Sequence, residues 1–271
     1  MIQDYYKKWK TYSNLNQFTQ SEFLNIESGQ NCGIVVKNFI DKTCISTLLE
    51  NYNLVSSDLK SGFNKNEGVI YPESFSVLAH DNFDENILAQ KLPNGIRKLN
   101  NLFSQVEVDG ESLMEYLLNF LCNGAVEKSV EMGKLTGHLL TNEKAHYITI
   151  RELFTEKGKI GKHAEKDLQL YYKPYFNLLK LPVPHFLLSF FILLQKPTFG
   201  GNLNTHNQYF GVENQNDNIE MRYSPEINVG DLVIFNGSDT YHSIDYCRGN
   251  SSRITLGGFL SKKDKNYIMW S

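Results

Sequence analysis

The stretch "GKIGKHAEKD", residues 158 to 167, holds one histidine, two acids and three lysines. Its charge alone suits a solvated loop. Its spacing suits a second use. Residues i and i+2 of an extended segment project to one side, so His163 and Glu165 can reach a single ion. An imidazole and a carboxylate from one segment, joined by a distal histidine, form a two-histidine, one-carboxylate set. Such a set fills one face of an octahedron, leaves open positions, and suits non-heme Fe(II). Asp167 is the competing acid, but at i+4 it reaches the same ion only from a tight turn or a helix. His242 lies further along the chain, in "GDLVIFNGSDTYHSIDYCRGNSSRITLGGF". There "TYHSIDY" and "RITLGGF" alternate on either side of the turn "CRGNSS". This reads as a hairpin with His242 and Arg253 almost opposite each other. Alternation puts Arg253, Thr255 and Gly257 on one face. An arginine buried on an apolar strand needs an anion.

These residues carry a resemblance. "HAE" at 163 to 165, "GGNL" at 200 to 203, "GDLVIF" at 230 to 235, "YH" at 241 to 242 and "RIT" at 253 to 255 resemble the Fe(II)/2-oxoglutarate-dependent dioxygenase superfamily. The match covers about residues 145 to 260. The opening "GQNCGIVVKNFIDKTCISTLLE" is similar to the start of many members. The resemblance implies a double-stranded β-helix (jelly-roll) core. It implies that His163, Glu165 and His242 hold Fe(II), and that Arg253, assisted by Thr255, binds the distal carboxylate of 2-oxoglutarate. A guanidinium meets a carboxylate through two parallel hydrogen bonds, which lysine cannot do. With O2 as the third reactant, 2-oxoglutarate goes to succinate and CO2 while an unactivated C–H bond is oxidised. Related halogenases have glycine or alanine at the carboxylate position, where chloride binds the iron instead. Glu165 fills that place, so hydroxylation or another oxidation is favoured. The implied substrate is a small molecule, a free amino acid or a natural-product intermediate, as in the amino-acid hydroxylases related to those halogenases. A peptidyl (prolyl-type) hydroxylase is the alternative and would need an open groove. A non-catalytic metal-binding jelly roll is the rival from another class, and Arg253 speaks against it, since a structural metal needs no carboxylate anchor.

The elements that must position these residues fall into two textures. Residues 1–144 read mostly as helical support. Asp41 is a good N-cap for a helix over 41–54. Helical periods follow in 85–106, broken at Pro93-Asn94-Gly95, and in 109–135, interrupted near Asn123-Gly124. "CGIVVKNFI" (32–40) is the exception, a short strand by its β-branched content. Residues 145–262 read as the jelly-roll core, with strands in "AHYITIRELF", "FLLSFFILLQK", "GGNLNTH", "GDLVIFNG" and "RITLGGFLS". The fold expected is mainly β with a helical N-terminal part, in a single domain of residues 1–271. On the strand "HYITIRELF", Tyr147, Thr149 and Arg151 share a face. Arg151 either binds a substrate carboxylate or pairs with Glu152 or Glu156. His206 could lie near the mouth of the site. The helical region and the loop 211–222 are candidate lids.

The bulk numbers exclude other classes. A formal net charge of -3 offers no basic footprint for nucleic acid. The apolar run 186–195 is too short to span a bilayer as a helix, and the N-terminus lacks a signal-peptide pattern, so no membrane partner is expected. The four cysteines include no CxxC pair, which fits reduced thiols and a cytoplasmic protein.

Overall fold

The computed structural model describes residues 4–13, 15–19, 21–55, 61–63, 67–72, 98, 101–103, 106–124, 148–168, 173, 183, 185–209, 221–263 and 266–270. Most of the helical period expected over 85–106, the end of that over 109–135, Tyr147 and most of the loop 211–222 lie outside the described residues.

Short strands dominate. In chain order they are β1 (Trp9–Tyr12), β2 (Gly33–Val36), β3 (Ser61–Phe63), β4 (Gly68–Tyr71), β5 (Glu107–Val108), β6 (Glu111–Ser112), β7 (Thr149–Leu153) and β8 (Ile160–His163). Then follow β9 (Leu187–Gln195), β10 (Phe199–Gly200), β11 (Leu203–Tyr209), β12 (Arg222–Tyr223), β13 (Leu232–Asn236), β14 (Thr240–Ile244), β15 (Cys247–Arg248), β16 (Arg253–Lys263) and β17 (Asn266–Trp270). Three α-helices have defined bounds, α1 (Ser21–Glu27), α2 (Lys42–Asn53) and α3 (Leu113–Gly124), and the described residues 98, 101–103 and 173 are helical as well.

Two sheets make the jelly-roll core. The larger runs β1-β2-β13-β9-β16-β7-β4-β3, with β17 also paired to β16, and the smaller runs β12-β11-β14-β8. The larger sheet is buried on both faces. On one face Ile34, Val36, Ile192, Ile234 and Leu256 pack in one cluster with Phe23, Ile26, Leu48, Tyr52 and Leu117 of the helices. On the other, Val35, Leu193, Val233 and Phe235 meet Leu203 and Ile244 of the smaller sheet. Successive residues of a strand point to opposite faces, so a strand covered on both sides must be apolar throughout. That is why "LLSFFILLQ" is an unbroken run. The helix at 41–54 forms as its sequence requires, with Asp41 Oδ1 accepting from Cys44 N at 2.8 Å.

Among the described residues before 145, helices α1 to α3 alternate with short strands, and β1 to β4 extend both edges of the larger sheet. The short strand expected in 32–40 is β2, which pairs with β13. One expectation is corrected. His242 and Arg253 do not lie on neighbouring strands of one hairpin. β14 pairs with β11 and β8, whereas β16 pairs with β9, β7 and β17. Between them β15 pairs with β10, and Gly249 takes φ 100°. The chain therefore crosses from one sheet to the other, and the two residues face one cavity from opposite walls.

Candidate active site

β8 and β14 are neighbours in the smaller sheet, with His163 directly opposite His242. The strand stops at His163, and Glu165 opens a 3₁₀ turn through Leu168. The His-x-Glu pair thus spans a strand end and a turn rather than one extended segment. It still converges. Glu165 Oε1 lies 3.8 Å from His163 Nε2 and 3.7 Å from His242 Nε2. One donor atom from each of the three residues falls within 4.8 Å of the others.

The same local device orients both imidazoles. His163 Nδ1 lies 2.8 Å from Gly161 O, and His242 Nδ1 lies 2.9 Å from Thr240 O. A carbonyl can only accept, so in each ring Nδ1 carries the hydrogen and Nε2 keeps its lone pair for a metal. Phe235 packs edge-on against His242, with ring centroids 4.9 Å apart. Burial, then the charge of His163, pushes His242 down to about 3. Burial also pulls on His163, but its contact with Glu165 outweighs this and raises its pKa. A neutral imidazole at His242 and a carboxylate-paired one at His163 are a donor set ready to exchange a proton for a cation.

Asp167 is turned elsewhere. Its Oδ2 accepts from Ala164 N at 3.2 Å and its Oδ1 from Tyr241 Oη–H at 3.3 Å. The tight turn that could have brought it to the ion exists, but Asp167 staples that turn. Glu165 is placed by main chain, its N–H donating to Gly237 O at 2.8 Å. A Cβ built on Gly237 would stand 3.0 Å from Glu165 Cγ and 2.1 Å from Ser189 Oγ. The carboxylate therefore passes through space that only glycine leaves open.

The cavity around this cluster encloses about 700 Å³, its mouth included. Arg253 projects into it from β16 and is 4% exposed. Its Nε donates to Gly201 O at 2.9 Å, and its guanidinium stacks over Phe191, 4.9 Å from the ring centroid. Burial lowers its pKa to about 10, which leaves it charged at neutral pH. Gly200 and Gly201, at φ 71° and 63°, make the turn that presents the Gly201 carbonyl. Thr255 lines the same wall, its Oγ1 3.5 Å from Arg151 O. Arg151 lines the cavity as well, one strand over. His206 is not on the cavity wall. It is buried on β11, with Nε2 2.9 Å from Ser243 Oγ. Sequence reasoning missed Ser189, Phe191 and Gly237. Ser189 had a visible signal, being the polar interruption in an otherwise apolar strand.

A jelly roll with two histidines, one carboxylate and a buried cavity arginine defines a class, the Fe(II)/2-oxoglutarate-dependent oxygenases. The chain matches the family of the carrier-protein-independent halogenase WelO5 over residues 17–271, and it belongs to that family. It is a 2-oxoglutarate-dependent dioxygenase, and the cofactors of this class are Fe(II), 2-oxoglutarate and O2. Among solved structures it is similar to an N-substituted L-amino acid dioxygenase from Burkholderia ambifaria AMMD, at 12% identity and a TM-score of 0.51, covering 93% of this chain and 91% of that one. The complex of a dioxygenase of that description and source with α-ketoglutarate aligns at 11% identity and a TM-score of 0.50, again over 93% and 91%. A 2OG-Fe(II) oxygenase family oxidoreductase from Burkholderia pseudomallei aligns over 97% of both chains at 12% identity and a TM-score of 0.49. These likenesses concern the fold. No curated protein matches the chain. No helix among the described residues is long and apolar enough to cross a membrane.

Proposed function

We propose that the protein oxygenates an unactivated C–H bond of a small molecule, a free amino acid or a natural-product intermediate, by hydroxylation rather than halogenation. One observation carries this reading. Glu165 occupies the place between the two imidazoles that halogenases leave to a halide, within 3.8 Å of both Nε2 atoms. The donor set fits Fe(II), with two imidazoles whose far nitrogens are tied to carbonyls and one carboxylate. His163, Glu165 and His242 would hold the iron. Bound there, iron with 2-oxoglutarate supplies the oxidation: 2-oxoglutarate and O2 yield succinate and CO2, and one oxygen atom enters the C–H bond.

The chain's own residues bind, orient and exclude water. Arg253 offers its remaining N–H groups to the distal carboxylate of 2-oxoglutarate, with Thr255 beside it. Phe191 below the guanidinium and Gly201 O on Nε fix the plane of that fork. Ile160, Leu203, Phe235 and Ile244 make the apolar wall near the histidines. A dry wall strengthens each charge–dipole contact inside and protects the reactive centre. A cytoplasmic setting suits the free thiols of Cys32, Cys44 and Cys247.

The test adds Fe(II) and 2-oxoglutarate to the metal-free protein without oxygen and follows the visible charge-transfer band of the chelate. The band should form, should need His242, and should not move when chloride is added. Glu165→Gly should restore sensitivity to chloride. A wild-type band that shifts with chloride would favour halogenation, and no band at all would end the oxygenase reading.

A further inference from the structure

Ser189 interrupts the apolar run of β9, across the ladder from Phe235 on β13 and Phe259 on β16. It is 7% exposed and lines the cavity together with Glu165. Among the described residues, no group hydrogen-bonds its Oγ. Burying a hydroxyl without a partner costs free energy, and alanine would fill the same place on the strand without that cost. A buried, unpaired hydroxyl on a cavity wall calls for a reason, and a partner that arrives with a bound ion is one.

Two observations point to that partner. The first is a gap left by Gly237. A Cβ built there would lie 2.1 Å from Ser189 Oγ and 3.0 Å from Glu165 Cγ, so the hydroxyl and the glutamate side chain border the same small space. The second is the aim of the carboxylate. Glu165 Oε1 stands 3.7 and 3.8 Å from the two imidazole Nε2 atoms, too far for hydrogen bonds and close enough for one ion to span. An ion that draws this oxygen in leaves the other one in a buried setting, since Glu165 is 4% exposed. Ligating carboxylates are held by hydrogen bonds of their own. We propose that Ser189 is a positioning residue for the metal centre. With metal bound, its Oγ–H donates to the oxygen of Glu165 that does not ligate, and so holds the carboxylate to one-oxygen binding. The position that a second oxygen would take stays open for 2-oxoglutarate or O2. The serine reaches this oxygen by rotating about χ1, without movement of β9. The proposal rests on the metal site of the oxygenase reading. Other contacts of Glu165 do not bear on it, because the group that calls for a partner is the hydroxyl.

The experiment titrates full-length, metal-free protein with Ni(II) by calorimetry. Ni(II) suits imidazole and binds such sites more tightly than Fe(II), so weakened variants stay measurable. Ser189→Ala should bind Ni(II) about tenfold more weakly, the lower end for lost support around a ligand. Its metal-free melting point should be no lower than wild type, because the hydroxyl it removes has no partner there. A serine that only packed the core would lower both. In a Glu165→Ala background, Ser189→Ala should change Ni(II) affinity by no more than about twofold, the margin within which independent sites add. Infrared difference spectra, metal-bound minus metal-free, should show widely split carboxylate stretches in wild type, the sign of one-oxygen binding, and a narrower splitting in Ser189→Ala. The proposal is overturned if Ser189→Ala binds Ni(II) as wild type does, or if its loss is as large without Glu165 as with it. It is overturned equally if the carboxylate splitting is the same in both proteins. Titrating 2-oxoglutarate into the wild-type Ni(II) protein reads the oxygenase assignment separately. No binding there would strike that assignment and leave the role of Ser189 to the metal titrations.

Discussion

Replacing Gly237 by alanine tests how the metal cluster is held without touching a ligand. The new Cβ would sit 2.1 Å from Ser189 Oγ, 3.2 Å from Ser189 Cβ and 3.0 Å from Glu165 Cγ. Serine can rotate its hydroxyl away, but its Cβ belongs to β9 at the centre of the larger sheet. Gly237 cannot retreat either. Its N–H donates to Phe235 O at 2.9 Å and its carbonyl accepts from Glu165 N at 2.8 Å. Glu165 must therefore move by a few tenths of an ångström. Overpacking of this kind costs about 1–3 kcal/mol, or a melting-point loss of roughly 2–6 °C for a chain of this size. Shifting a ligating carboxylate should weaken metal binding by about 10–100-fold, the range for lost support around a ligand. Thermal melts of the metal-free protein and anaerobic Fe(II) titrations read the two effects separately. Gly161→Ala is the control, since a Cβ there meets nothing within 4 Å. Adding Ser189→Ala to the variant should return part of the melting point but not the metal affinity, because the Glu165 contact remains. A Gly237→Ala protein with wild-type melting point and Fe(II) affinity would refute the reasoning.

The remaining predictions separate the parts of the site. Glu165→Gln should cut Fe(II) affinity tenfold or more, while Asp167→Asn should keep it and lose about 1 kcal/mol of stability with its hydrogen bonds to Ala164 and Tyr241, as melts and Fe(II) titrations would report. Arg253→Lys should weaken 2-oxoglutarate binding roughly tenfold, since lysine keeps the charge but not the fork, and calorimetry reads this directly. Gly201→Ala should lower 2-oxoglutarate affinity with Fe(II) affinity unchanged. It strains a backbone at φ 63°, and its Cβ would come within 3.3 Å of Arg253 Cδ. In acid, His242 should destabilise the metal-free protein. Its pKa is lowered from 6.5 to about 3, so the unfolded chain takes up a proton that the folded one refuses, and stability falls between those two pH values. His163, with its raised pKa, acts in the opposite sense: it adds stability below 6.5 that is lost as pH rises through its own value. Urea melts across this range should show a flatter acid limb in His242→Gln.

What was legible in the sequence was what is local. His163 and Glu165 are two residues apart, the strand of Arg253 alternates, and the turn of Gly200-Gly201 is written in its glycines. The long apolar run of β9 declared a strand buried on both faces. What the sequence hid was set by partners far along the chain. "GIVV" was legible as a strand by its β-branched content and "GVIY" was not, but the place of both in the larger sheet comes from pairing with β13 and β7. The segment from His242 to Arg253 looked like a hairpin because both halves alternate. Alternation fixes which face a residue takes but not which strand lies beside it, and the short pairing of β15 with β10 sends the chain to the other sheet. The error left the conclusion standing, because a jelly roll closes both walls over one cavity.

Membership of a halogenase family and a carboxylate at position 165 pull in different directions, and the packing around Glu165 supports the proposed oxygenation. A glutamate newly placed at a halide position would need room and support. Here both are built in. Gly237 leaves open the path of its side chain. The 237–238 backbone that clasps residues 165 and 166 is itself tied to β9, with Ser238 N donating to Leu187 O at 3.2 Å and Leu187 N donating to Ser238 Oγ at 2.6 Å. Lys166 pairs with Asp239, and Asp239 N donates to Asn236 Oδ1 at 3.0 Å. The carboxylate thus stands at the end of a chain of buried contacts that runs from the centre of the larger sheet to the metal cluster. Truncating Glu165 alone would leave a hole with its walls intact. That is the condition under which a chloride ion could enter, and under which the difference between oxygenation and halogenation reduces to the presence of one side chain.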